Sequence, residues 1–122
     1  MKITTGTIPI YRQIIDYFEL EIASGRLKSG EKIDSIRSLA VQFKVNPNTV
    51  QKSLLELERS GYIYTDRTNG KFVTDDEKVI KKLNRSIIKT LSKDFVDGVR
   101  LLGFDYETVI EHLKDIWEEE NE

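Results

Sequence analysis

Eight residues, Val45-Asn46-Pro47-Asn48-Thr49-Val50-Gln51-Lys52, constrain this chain more than any others. Asn46 carries a side-chain oxygen suited to capping the free N–H groups of a helix. Pro47 suits the first helical position, where its missing N–H would have had no partner. Val50, Leu54 and Leu57 then recur at the spacing of a single buried stripe. Upstream, Asp34 and Ser35 are N-cap candidates, and Ile36, Leu39, Ala40 and Phe43 fall at i, i+3, i+4 and i+7. A short helix therefore ends near Lys44, and only a tight turn separates it from the next. Two short helices joined in this way form a helix-turn-helix.

The flanking segments complete a domain. Pro9 opens a stretch in which Ile10, Ile14, Tyr17, Phe18 and Ile22 share one helix face, and Gly25 supplies a stop. Residues 26–33 carry Gly30 and several charges and read as a loop with at most a very short strand. After Gly61, Tyr62-Ile63-Tyr64-Thr65 is rich in β-formers, Thr68-Asn69-Gly70 supplies turn chemistry, and Lys71-Phe72-Val73 returns, the pattern of a β-hairpin. Three helices and a hairpin in this order make a winged helix-turn-helix over residues 1–74.

From residue 75 the character changes. Asp75, Asp76 and Glu77 place negative charge at a helix start, where it complements the dipole. Ile80, Leu83, Ile87, Leu91 and Phe95 then recur every three or four residues, with a stop at Gly103 and a bend expected near Gly98. Asp105 caps a last helix bearing Tyr106, Val109, Ile110, Leu113, Ile116 and Trp117. The fold class is thus mainly α with a small β wing, ending in a short two-helix region over residues 75–122. Its apolar surface exceeds what two antiparallel helices can hide. A homodimer that pairs Ile80, Leu83, Ile87, Leu91, Phe95, Val109, Leu113 and Trp117 with their mates would cover it. Folding both helices back onto the first helix is the competing arrangement.

Chemistry is narrowed by what the 122 residues lack. Zero cysteines exclude disulfides, thiolate metal sites and a Cys nucleophile, and the single histidine, His112, removes His-pair metal sites. No phosphate-binding glycine loop occurs, so neither an enzyme nor a cofactor site is expected. No apolar run is long enough to span a bilayer, and the start lacks a signal-peptide core, which points to a cytoplasmic protein with no membrane partner. The formal charge of −2 argues at first against nucleic acid. Residues 1–74, however, hold 11 basic and 8 acidic side chains, whereas residues 75–122 hold 8 and 13. The positive half is the one that carries the helix-turn-helix.

On a wheel of the third helix, with Val50, Leu54 and Leu57 inward, Asn48, Gln51 and Lys52 face outward beside the Asn46 cap. Amides can pair bidentately with adenine in the major groove, and Lys52 can reach guanine or phosphate. A solvated helix face with an ordinary cap would look the same in isolation. Its place on the second helix of a helix-turn-helix favours recognition. Arg37 lies off the buried face of helix two and suits either a DNA contact or an ion pair with a nearby carboxylate. Ser35 suits a phosphate or simply its cap. The hairpin tip, with Arg67, Asn69, Gly70 and Lys71, suits either a minor-groove probe or a bare turn. Leu55 also lies near the outward side, where only contact with a neighbouring element would account for it.

These residues resemble the GntR family of bacterial transcription regulators, in particular its short YtrA-type branch. The resemblance runs through Pro9-Ile10-Tyr11-Arg12-Gln13-Ile14, Asp34-Ser35-Ile36-Arg37-Ser38-Leu39-Ala40, the 45–52 motif, Leu57-Glu58-Arg59-Ser60-Gly61-Tyr62-Ile63, Gly70-Lys71-Phe72-Val73 and the two-helix tail over 95–113. It implies a homodimeric regulator that binds double-stranded operator DNA, usually as a repressor of a neighbouring operon, often one encoding an ABC transporter. It carries DNA contacts onto Arg37, Asn46, Asn48, Thr49, Gln51, Lys52 and the wing around Gly70, with Pro47 inside the same motif. This chain departs from the pattern at Asp34, where proline is usual, and at Thr68 and Asn69, where glycine and a basic residue are common. Pro47 and Gln51 stand where longer members often carry arginine, so operator sequences do not transfer. The large effector domain of those members is absent; any small-molecule effector would have to bind between subunits or domains. A winged helix serving as a protein-interaction module without DNA contact is the alternative function.

Overall fold

Capping fixes where each helix of the N-terminal region begins and ends. The computed structural model describes residues 6–121. α1 spans Ile10–Ser24, and Pro9 precedes it in an extended conformation, its carbonyl accepting from the N–H groups of Arg12 and Gln13. Pro9 is therefore the cap, not the first helical residue expected from sequence. The missing proline N–H costs as little there. Gly25 ends α1 at φ 80°, a left-handed conformation that side chains disfavour. α2 (Ile36–Phe43) starts where the Ser35 hydroxyl oxygen accepts from the Ser38 N–H at 3.1 Å. α3 (Pro47–Arg59) starts where the Asn46 side chain accepts from the Asn48 N–H at 2.8 Å. Between them Lys44 adopts φ 56°, the only described non-glycine residue with positive φ. The turn demands it, because Val45 N–H must reach back to the Ala40 carbonyl before α3 can begin.

α3 packs against both α1 and α2. Ile14, Ile22, Val50, Leu54 and Leu57 are each at most 1% exposed, and Tyr17, Phe18 and Phe43 meet edge to face. The stripe expected on α1 shifts slightly: Ile15 joins the core, while Ile10 is 40% exposed. Ser53 on α3 is fully buried, and its hydroxyl lies within hydrogen-bonding distance of the Thr49 carbonyl at 2.9 Å and the Tyr11 carbonyl at 3.0 Å. The buried oxygen thereby ties the start of α1 to the middle of α3.

The wing is an antiparallel pair, β1 (Ile63–Asp66) and β2 (Gly70–Val73), in register from Ile63 opposite Val73 to Asp66 opposite Gly70. The 26–33 loop adds a fragment of a third strand. A bridge joins Lys32 to Phe72, and Ile33 and Val73 N–H groups donate to the Lys71 and Glu31 carbonyls. At Gly70 the backbone turns at φ 106°, a conformation that side chains disfavour, with the flexible Lys32 side chain lying beside it.

α4 spans Glu77–Leu101 as one helix that includes Gly98, and α5 spans Tyr106–Glu120. Asp105 caps α5, its carboxylate accepting from the Thr108 N–H at 3.0 Å. The chain divides into two compact units, residues 1–85 and 86–122, so the division falls inside α4. Leu83, the one buried residue of α4, lies in the first unit; α5 has no buried residue. Among the described residues no helix is long and apolar enough to cross a membrane.

The wing is braced to α3 by one polar cluster. The Thr65 hydroxyl donates to the Glu58 carboxylate and accepts from Lys71 Nζ at 2.8 Å, while Lys71 Nζ lies 3.6 Å from the other Glu58 oxygen. The Thr65 hydrogen bond, followed by the Lys71 charge, holds the Glu58 carboxyl below its ordinary value of 4.5. A lowered carboxylate stabilises the fold above its unfolded value and loses that contribution as the pH falls through the folded one. Glu58→Gln is expected to lower stability by less than about 1 kcal/mol at neutral pH and to flatten the decline below pH 4.5. Urea unfolding between pH 3 and 7, followed by circular dichroism, checks both.

Candidate nucleic-acid interface

The α2–turn–α3 surface is set by the same caps that start its helices. Asn48, Gln51 and Lys52 are exposed on α3, opposite Val50, Ser53, Leu54 and Leu57. Asn46 and Pro47 are exposed at its N-terminus, and Thr49 is half-buried. The Asn46 amide oxygen is engaged by the cap, so its NH2 group is the part turned to solvent. Free N–H groups of this first turn add a partial positive charge suited to phosphate.

Arg37 is exposed on α2 and has no ion pair among the described residues, so the carboxylate pairing weighed for it does not form. Ser35 keeps a hydroxyl hydrogen available while its oxygen serves the cap. Asp34, the departure before α2, accepts from the Gln42 side chain at 2.9 Å, and Gln42 also donates to the Ser38 hydroxyl at 3.0 Å. Its carboxylate is thereby turned toward the last turn of α2.

The two wing cations are not equivalent. Arg67 is exposed in the 67–69 loop and unpaired among the described residues. Lys71 is only 23% exposed and is held by Glu58 and Thr65 against α3. Lys71 thus braces the wing instead of arming its tip. Asn69 and Gly70 are exposed, but the Asn69 side chain donates to the Asp66 carboxylate at 3.2 Å. The same carboxylate accepts from the Thr68 N–H at 2.9 Å, and these hydrogen bonds hold it below the ordinary carboxylate range. Thr68 and Asn69 therefore fold around Asp66.

Ion pairs take up some of the cations of the first unit and leave others free. Arg12 pairs with Asp16 and Glu19, Arg26 with Glu21, Arg59 with Glu56, and Lys71 with Glu58. Arg37, Lys44 and Lys52, on the α2–turn–α3 surface, pair with no carboxylate among the described residues. Lys28, Lys32 and Arg67 are unpaired as well among the described residues, so the outward amides lie beside three of the several free cations of this unit.

Two residues of this surface were missed by pattern. Lys44 places a cation in the turn, and only its left-handed backbone shows that the turn ends on it. Tyr11, at the start of α1, lies beneath Lys52, whose Nζ is 3.8 Å from the ring centroid. Nothing in the α1 stripe singles it out, since the contact is made across 41 residues of sequence.

Of the expected pairing residues in α4 and α5, Leu83 is buried within the first unit, whereas Ile80, Ile87 and Val109 are half-buried. Leu91, Phe95, Leu113 and Trp117 are 64%, 42%, 40% and 74% exposed. Ile88, Val96, Leu101, Leu102, Phe104, Tyr106 and Ile116 are exposed as well. His112 is exposed on α5, and no group of potential metal ligands occurs among the described residues.

Comparison with known proteins gives this geometry a family. Residues 10–73 match the family described as bacterial regulatory proteins, gntR family. The chain is 35% identical over 112 residues to the HTH-type transcriptional repressor YtrA of Bacillus subtilis (strain 168), covering 91% of this chain and 86% of that protein. A GntR family transcriptional regulator from Listeria monocytogenes superimposes with a TM-score of 0.85 at 38% identity, over 92% of this chain and 98% of that one. The DNA-binding domain of AraR, solved in complex with operator ORX1, matches 61% of this chain and 95% of its own, with a TM-score of 0.58 and 25% identity. This chain belongs to the gntR family of bacterial regulatory proteins and is a DNA-binding transcriptional regulator, not an enzyme.

Proposed function

We propose that the protein is a cytoplasmic repressor that binds a pseudo-palindromic operator as a homodimer and controls a neighbouring operon encoding a transporter. The α2–turn–α3 surface carries this reading: Arg37, Lys44 and Lys52 are unpaired among the described residues while the other ion pairs of the first unit lie elsewhere. Asn48 and Gln51 supply donors and acceptors for base edges, and Arg37, Lys44 and Lys52 supply phosphate contacts. The wing contributes Arg67, with Asn69 and Gly70 at its apex. The repressor assignment is supported by the similarity to YtrA, and the transporter target by the family resemblance.

Dimerisation is supported by the apolar surface that one chain leaves open. Leu91, Phe95, Leu113 and Trp117 are all exposed, as are Ile88, Val96, Leu101, Leu102, Phe104, Tyr106 and Ile116, a density of open apolar side chains that a partner surface would cover. Ile80, Ile87 and Val109 are half-buried, and Leu83 is buried within the first unit instead of being open to a mate. A two-fold mate presents the same surface and duplicates the recognition helix, which matches two half-sites by symmetry.

Selection of bound sequences from random duplexes supplies the operator for a direct test. Gln51→Ala and Arg37→Ala are each expected to weaken operator binding by about 5- to 100-fold, with unchanged thermal unfolding. Unchanged mobility-shift titrations for both would reject DNA recognition by this surface. Light scattering at micromolar concentration is expected to give twice the 14.2 kDa chain mass, and Leu91→Glu with Phe95→Glu to return it to 14.2 kDa. A wild-type chain that already runs at 14.2 kDa would remove the dimer.

A further inference from the structure

Lys52 is exposed, yet its ammonium is not free to roam. It stands 3.8 Å from the centroid of the Tyr11 ring, on the side of α3 that faces α1. The Tyr11 backbone carbonyl lies within hydrogen-bonding distance of the buried Ser53 hydroxyl, on the residue next to Lys52, so the backbone that carries the ring is tied to the turn of α3 that carries the lysine. Around them lies an open concavity lined by Ile10, Tyr11, Asn48, Thr49 and Lys52. No carboxylate pairs with Lys52 there, and the Tyr11 hydroxyl has no hydrogen-bond partner among the described residues. The concavity therefore offers an ammonium, a phenol and the polar ends of Asn48 and Thr49, with the apolar Ile10 beside them.

We propose that Tyr11 is a positioning residue for DNA binding, holding the Lys52 ammonium at this concavity so that it meets a backbone phosphate instead of a base edge. The inference rests on the DNA-binding reading above and assigns a division of labour within it. Gln51, one helical step away and free of partners, is left to read the groove. Lys52 is drawn toward the α1 flank, where a strand running past α3 would pass. A cation held over a ring keeps its remaining N–H groups for an anion, so the contact to Tyr11 need not break when phosphate arrives. Restricting a long side chain beforehand also spares part of its ordering cost on binding.

The test uses the full chain with the selected operator and a scrambled duplex, titrated at several salt concentrations. Lys52→Gln is expected to weaken both complexes by the same factor and to reduce the salt slope by about one phosphate contact. Tyr11→Leu is expected to weaken both by about two- to fivefold, the worth of an exposed cation–π contact. In the Lys52→Gln background it is expected to add nothing. Tyr11→Phe, which keeps the ring, retains the wild-type slope and guards against a folding defect in the leucine variant. Full persistence of the Tyr11→Leu loss without Lys52 would overturn the proposal. So would a Tyr11→Phe variant that behaves like Tyr11→Leu, or a Lys52→Gln effect confined to the operator. A wild-type chain that binds no duplex would instead remove the DNA-binding reading on which the proposal stands.

Discussion

A buried hydroxyl sets the rotation of α3. Ser53 is 0% exposed, and its oxygen lies within reach of the Tyr11 carbonyl of α1 as well as the Thr49 carbonyl of its own helix. A larger aliphatic side chain there would push the two helices apart, and an unpaired polar atom would carry a desolvation cost. With Ser53 turned inward between Val50 and Leu57, helical geometry leaves Asn48, Gln51 and Lys52 no place but the outside. The outer face of the helix is thus a consequence of how its inner face packs. Asn46 and Pro47 add the starting point, so both the rotation and the first residue of α3 are fixed.

Electrostatics follow the same division. Carboxylates of the first unit are spent mainly on α1 and on the end of α3, where they pair with Arg12, Arg26, Arg59 and Lys71. Exposed pairs of this kind contribute little to stability. Their effect is to neutralise four cations away from the turn, while Arg37, Lys44 and Lys52 keep their charge beside it. The overall charge of −2 therefore misdescribes the molecule. Its acidity is carried by residues 75–122, and a duplex approaching α3 would meet the local balance, not the total.

What was legible in the sequence was whatever depends on neighbours along the chain. The caps Ser35, Asn46 and Asp105 form as expected, because a cap needs only the residues two or three positions on. The hairpin turn formed for a similar reason, though β1 runs one residue later and β2 starts one residue earlier than expected, and the loop folds around Asp66, whose carboxylate accepts from the two N–H groups that follow Arg67. What was hidden depends on distant contacts. Lys71 read as a wing-tip cation but is captured by Glu58 and Thr65. Leu83 read as one more position in an apolar stripe but belongs to the N-terminal unit. Tyr11 read as part of an opening motif and proved to lie under Lys52. Periodicity assigns each of these to a face and says nothing of which neighbour fills it.

The wing shows how a local solution limits function. A glycine-rich tip is loose and can follow a groove, whereas Asp66 gathers the Thr68 and Asn69 backbone N–H groups and the Asn69 side chain into a closed turn. That order is gained with a negative charge placed one residue before Arg67, the only unpaired cation of the hairpin among the described residues. An anionic backbone near the tip would meet both charges at once, so the net attraction from the wing is smaller than its two basic residues suggest. On the proposed reading of the α2–turn–α3 surface, discrimination then falls chiefly to α3. Its outward amides, unlike a phosphate contact, change their binding energy with the base they face.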